Sequence, residues 1–308
     1  MIASVRRHLV SINDLDAQDI QELLREAALL KQRRRPAPPP LDGKIAALIF
    51  EKPSLRTRMS FDAAMYELGG HAVYLSPAEV GLGRRESVAD VARVVSREAD
   101  VAVLRTYAHE TIEEFARFSS IPVINALSDL EHPTQGLTDI FTLVEAKGPL
   151  RGLALAYVGD GNNVANALVL CAAKTGLHLR IACPQGYEPD PRYLARAREE
   201  EADLVVLHDA PAAVQDADAV YTDVWTSMGQ EAEYERRRRA FHGFQLNAEL
   251  LAHAKPDAVV MHDLPAHRGE EITDDVMDGP QSVVFTQAEN KRHVVKALLE
   301  MLLGSGRA

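Results

Sequence analysis

The strongest constraint on this chain is a rhythm in which short apolar runs alternate with segments of helical periodicity. "KIAALIF", "HAVYL", "VAVLR" and "PVINA" come first, separated by helical stretches that run from about Arg56 to Leu68 and that begin near Ser87, Glu110 and Gln135. Apolar runs of about four to eight residues bounded by turn residues read as buried strands, and their alternation with helices gives a parallel sheet covered on its faces. "LALAYVGDGNN" restarts the rhythm, followed by "LRIACP", "DLVVLH", "AVYTDVW", "AVVMHDLP" and "SVVFT". The expected architecture is therefore α/β, with two doubly wound parallel-sheet domains and the active site in the cleft between them. A first domain over 1–146 and a second over 147–286 are expected, with a final helix, 287–308, packing back on the first. A length of 308 residues with 46% hydrophobic content suits two cores rather than one.

Punctuation supports the reading. Asp16 can cap a first helix in which Ile20, Leu23, Leu24, Ala27 and Leu30 recur at helical spacing, and Gly69-Gly70 stops the helix after the first buried strand. Two arginine runs read as structural. Arg33 to Arg35 complement the dipole at a helix end before "PAPPP", and Arg236 to Arg239 read as one solvated helical face. A formal net charge of −11 excludes a nucleic-acid partner as the natural reading, because phosphate contacts need a positive surface. Cys171 and Cys183 lack ligand spacing and sit in apolar runs, so they are expected in the core of a cytoplasmic protein without disulfide or zinc. The amino-terminal apolar stretch is too short for a signal peptide, and no run reaches membrane-spanning length.

Ligands of open α/β sheets bind at the carboxyl ends of the strands, and there this sequence is unusually polar. "PSLRTR" places Ser54, Arg56 and Thr57 at a helix start, where free N–H groups, hydroxyls and a guanidinium make an anion cradle. Arg105, Thr106 and His132 end neighbouring strands. His132 and Gln135 of "HPTQ" are donors suited to a carbonyl oxygen that gains negative charge. "GDGNN" lacks the third glycine of a dinucleotide fingerprint, and the next strand ends without an acidic residue for a ribose. Asn163 and Asp223 suit the ammonium and carboxylate of an amino acid instead, with Ser227 and Gly229 on a loop able to close over it. Asp263, just past a buried strand, must meet a cation, since a carboxylate there is costly unless paired.

"SLRTR", "RTYAH", "HPTQ", "GDGNN", "TDVWTSMGQE", "HDLPAHRGEE" and "QAEN" stand in the order and spacing of the ornithine carbamoyltransferases, and the resemblance covers essentially the whole chain. It implies transfer of the carbamoyl group of carbamoyl phosphate to the δ-amine of L-ornithine, giving citrulline and phosphate, and "SMG" separates these enzymes from aspartate-using relatives. By the same resemblance Ser54, Leu55, Arg56 and Thr57 bind the phosphate, while Arg105, His132 and Gln135 hold the carbamoyl group. Asn163, Asp223, Ser227 and Met228 bind ornithine, Leu264 and Lys291 complete the substrate-binding set, and Asp263 joins the catalytic group. The family implies two domains that close on the substrates and a homotrimer, or multiples of it, with sites near subunit contacts. No metal or organic cofactor is expected, because carbamoyl phosphate is already activated and the protein need only align substrates and stabilise an oxyanion.

Five positions depart from the usual family pattern: Leu55 for threonine, Gly81 where a neighbouring subunit's glutamine often reaches the phosphate, Thr134 for cysteine, Asp263 for the cysteine of "HCLP", and Lys291 for the arginine of "AENR". Asp263 has two candidate cations, the ornithine ammonium and Lys291, and the substrate is the expected one. Alternatives are a sister enzyme acting on putrescine, lysine or an acylated ornithine, a non-catalytic binding paralogue, and a nicotinamide oxidoreductase.

Overall fold

The computed structural model describes residues 8–33 and 35–304, and its contacts divide the chain into two units: residues up to Thr138 together with those from Glu289, and Asp139–Ala288. The division falls inside the helix Pro133–Lys147. Arg34 and residues 305–308, parts of the first arginine run and of the expected final helix, lie outside the described residues.

In the first unit β1 (His8–Leu9), β2 (Ile45–Phe50), β3 (His71–Leu75), β4 (Val101–Arg105) and β5 (Val123–Leu127) form a sheet in the order β1-β5-β4-β2-β3, every pair parallel. In the second, β6 (Ala154–Val158), β7 (His178–Ala182), β8 (Leu204–Leu207), β9 (Ala219–Thr222) and β10 (Val259–Met261) run parallel in the order β10-β9-β6-β7-β8. Central strands carry buried residues on both faces, as they must when helices cover both sides; β4 and β6 are buried throughout. Each sheet reverses its winding once, between β2 and β4 in the first unit and between β6 and β9 in the second. A crevice opens at the carboxyl ends where the winding reverses. Phe50 pairs with Arg105, and Val158 with Thr222, so the polar segments after these four strands start from adjacent positions.

Local signals set the first helices. Asp16 caps Ala17–Gln32 in a reciprocal box with Asp19, and Ile20, Leu23, Leu24, Ala27 and Leu30 are its buried face. Gly69, at φ +91°, turns the chain after Leu55–Glu67.

One expected strand is corrected. "SVVFT" supplies only an isolated bridge, Ser282 to Val260, and the chain is helical from Val284 to Leu303. Gln287 explains the change. Its buried amide accepts from the His262 N–H at 3.0 Å and donates to Asp139 at 2.7 Å, which requires the helix to begin within the apolar run. Two buried hydrogen bonds and a continuous helix outweigh the strand preference of two valines.

Candidate active site

In the first unit Ser54 caps the helix Leu55–Glu67, its Oγ accepting from the Thr57 N–H at 3.2 Å. The other N–H groups of this first turn have no intrahelical partner, which with the helix dipole makes the end attractive to an anion. Leu55 is 72% exposed, so only its backbone can serve a ligand here; Arg56 is half-buried and Thr57 buried. One strand over, Arg105 closes β4 and is buried, followed by buried Thr106, which donates its hydroxyl to the Ala108 carbonyl at 2.8 Å.

Lys291 joins this group from the last helix. Its buried Nζ donates to Gln135 Oε1 at 2.9 Å and stands 3.2 Å from His132 Nε2. An ammonium can only donate, so His132 accepts at Nε2 and its proton lies on Nδ1, facing the Thr134 hydroxyl at 3.4 Å. Burial pushes the His132 imidazole well below its usual range, with the Lys291 and Arg105 charges adding to it, so the ring is neutral. Donation to a carbonyl oxygen therefore falls first to the cations and to the Gln135 amide NH₂. Lys52, buried with its Nζ 4.6 Å above the Tyr107 ring, was not singled out by the sequence; a lone lysine at a strand end gave no signal.

The second unit gathers acids. Asp223, buried just past β9, accepts from Asn162 Nδ2 at 2.6 Å and from the Val224 N–H at 2.7 Å. Asn162 also caps the helix Asn163–Thr175, so the partner of Asp223 is the first asparagine of "GDGNN" rather than Asn163, which begins the helix and is half-buried. Burial raises the Asp223 carboxyl well above the usual range, and the Asp263 charge with a hydrogen bond between the two carboxyl groups raises it further. The pair therefore retains a proton at pH values where isolated carboxyls would have lost it.

His262, next to Asp263 in the chain, is held at both ring nitrogens. Its Nδ1 accepts from the Leu264 N–H at 2.9 Å and its Nε2 meets buried Glu271 at 3.1 Å, which fixes the ring as the Nε2–H tautomer. Leu264, at φ +62°, turns its side chain onto the core of the second unit. Asp223, His262 and Asp263 offer ligand atoms within 4.8 Å of one another, yet both nitrogens of His262 are already engaged, so the trio does not fit a metal as arranged. Ser227 and Met228 follow on a loop, half-buried and exposed; the Ser227 N–H bonds Gln230 at 3.0 Å, and Trp225 ahead of them is buried on Phe241 with ring centroids 5.7 Å apart.

The arginine run after this loop is not a uniformly solvated face. Arg237 is buried and donates from Nη1 to Asp160 at 2.9 Å and to the Trp225 carbonyl at 3.0 Å, whereas Arg236 and Arg239 are exposed. Asp160 is a buried acid, and the internal guanidinium of Arg237 pairs with it.

A cationic cradle at one winding reversal and an acidic pocket at another correspond to known domains. The family model of the aspartate/ornithine carbamoyltransferase carbamoyl-P binding domain matches residues 7–145, and that of the Asp/Orn binding domain matches residues 151–302. The chain belongs to the aspartate/ornithine carbamoyltransferase family. Among relatives in this carbamoyltransferase family, the ornithine carbamoyltransferase of Archaeoglobus fulgidus is 51% identical over 97% of this chain and 98% of its own. The solved ornithine carbamoyltransferase of Pyrococcus furiosus superposes with a TM-score of 0.94 at 47% identity, covering 99% of each chain. That of Thermus thermophilus gives 0.89 at 48% identity, covering 96% of this chain and 98% of its own.

Proposed function

We propose that the chain transfers the carbamoyl group of carbamoyl phosphate to the δ-amine of L-ornithine, giving L-citrulline and phosphate. The observation that carries this reading is the near full-length similarity, 46% to 51% identity, to relatives named ornithine carbamoyltransferase, one of them "anabolic". In this reading Ser54, Leu55 through its backbone, Arg56 and Thr57 hold the phosphate, and Arg105, Gln135 and Lys291 face the carbamoyl oxygen while His132 stays neutral beside them. Attack turns that oxygen into an oxyanion and releases phosphate, and fixed cations lower both charges in the transition state. Asn163, Asp223, Ser227, Met228 and Leu264 belong to the amino-acid half, with Asp263 aimed at the δ-ammonium.

The nucleophile must be neutral. A carboxyl pair that already shares one proton attracts a cation less strongly than two ionised carboxylates, and it can accept the ammonium proton as the amine approaches the carbamoyl carbon. One ammonium proton passes to the pair, the neutral amine forms the N–C bond, and as the C–O bond breaks the second nitrogen proton passes to an oxygen of the departing phosphate. The reading includes a cytoplasmic homotrimer acting in the biosynthetic direction. Among the described residues no helix is long and apolar enough to cross a membrane. The decisive experiment is citrulline formation from carbamoyl phosphate with L-ornithine, against L-aspartate, L-lysine and putrescine as amines, alongside the molar mass in solution. Citrulline formation with rates on the other amines at background supports the assignment; a preferred different amine overturns it.

A further inference from the structure

Arg237 sits on the helix Tyr234–Ala240, directly downstream of the loop that carries Ser227 and Met228. One guanidinium fastens three segments. Nη1 reaches Asp160 in the turn after β6 and the Trp225 carbonyl ahead of the loop, Nε reaches Glu233 at 3.0 Å, and the group lies 5.1 Å from the Tyr187 ring centroid. Asp160 is two residues before Asn162, the direct partner of Asp223, and Trp225 is two residues after Asp223. Burying a guanidinium costs several kcal/mol unless its hydrogen bonds are well met, so a residue of this kind is not there for solubility.

We propose that Arg237 is a positioning residue for the amino-acid substrate: it pins the Trp225–Gly229 loop to the turn that presents Asn162 and Asp223, and so sets ornithine affinity without touching ornithine. The inference rests on the ornithine reading of the second unit. Asp160 supports it independently. Burial, helped by the Asp223 and Glu233 charges, outweighs the pull of Arg237 and raises the Asp160 carboxyl to about 6. The anchor is thus ionised at neutral pH and loses its charge in mild acid.

Arg237→Met keeps the aliphatic bulk and removes every polar contact. It is expected to raise the KM for ornithine about tenfold or more, as loss of one or two charge-assisted hydrogen bonds implies, with the KM for carbamoyl phosphate within about twofold. Arg237→Lys should recover part of the loss. The emission of Trp225, the only tryptophan, should move to the red in Arg237→Met before any ligand is added. Should Arg237→Met fail to fold by circular dichroism, Asp160→Asn, which removes only the anchor's charge, should still raise the ornithine KM several-fold. Wild type alone gives a further arm, a red shift of Trp225 emission with a midpoint near pH 6. An ornithine KM unchanged in either folded variant, an equal rise for both substrates, or wild-type emission flat from pH 7.5 to 5 overturns the proposal. Absence of citrulline formation by wild type defeats the functional reading instead, and both emission measurements, which need no turnover, still decide the role of Arg237.

Discussion

The two polar centres, each placed where a parallel sheet reverses its winding, are opposite in charge and in how that charge is kept. The first collects Arg105 and Lys291 around a neutral His132 and a capped helix end. Its cations are a buried guanidinium and a buried ammonium, set beside an imidazole that burial keeps neutral. The second collects Asp160, Asp223 and Asp263, whose burial and mutual repulsion raise the Asp160 and Asp223 carboxyls towards neutrality. A site that must stabilise a growing negative charge benefits from fixed cations, whereas a site that must bind an ammonium and then release it as an amine benefits from acids able to change charge. The pH dependence of the reaction is accordingly expected to come from the second centre.

The largest effect that would break this comparison is at Arg105. Arg105→Ala should lower kcat/KM for carbamoyl phosphate by about 100- to 1000-fold, the scale of losing one preorganised donor to an oxyanion, while ornithine-responsive Trp225 emission persists. Arg56→Ala follows, raising the KM for carbamoyl phosphate by about tenfold or more, since the Arg56 side chain is half-buried rather than enclosed. Unchanged carbamoyl phosphate kinetics in both would remove the cradle from the first unit.

Asp263→Asn sharpens the contrast from the acidic side. Removing one charge lets the Asp223 carboxyl ionise at lower pH, so the acid limb of the kcat/KM profile for ornithine should move to lower pH while the profile for carbamoyl phosphate holds its place. The sign for stability follows from linkage. The folded-state pKa of Asp223 is raised, so its contribution is fully present below the unfolded value near 3.9 and is lost as pH rises through the folded value. Asp263→Asn should therefore raise Tm at pH 7.5 and leave it nearly unchanged at pH 3.5, as differential scanning calorimetry would show. Coincident melting at both pH values, or superimposable pH profiles, would argue that the Asp263 charge is already compensated.

Lys291→Ala should release His132, whose imidazole would titrate closer to its usual range in proton NMR spectra, with about a tenfold loss in kcat/KM; Lys291→Arg should restore most of it. The smallest change is spectroscopic. Trp225 emission should respond when an ornithine analogue is added to enzyme holding carbamoyl phosphate, and silence at saturation would separate the loop from the amino-acid half.

Much of this was legible locally. Strand-length apolar runs, the Asp16 and Ser54 caps and the Gly69 turn act over a few residues, so the chain alone determined the two parallel sheets and the polar strand ends. Six of the seven family motifs lie at those ends, and "QAEN" lies within the helix Val284–Leu303. Tertiary structure decided which polar residues meet. His132 and Lys291 are 159 positions apart, and Asp160 and Arg237 are 77, separations at which spacing carries no geometric information and only sheet order and helix packing set contact. Arg237 and its exposed neighbours share one composition and differ only in which side of a short helix faces the interior. Asn162 and Asn163 are identical as residues; the capping geometry turned the first towards Asp223 and made the second the start of a helix. "SVVFT" read as a strand because β-branched residues favour one locally, and became a helix because Gln287 had two buried groups to satisfy.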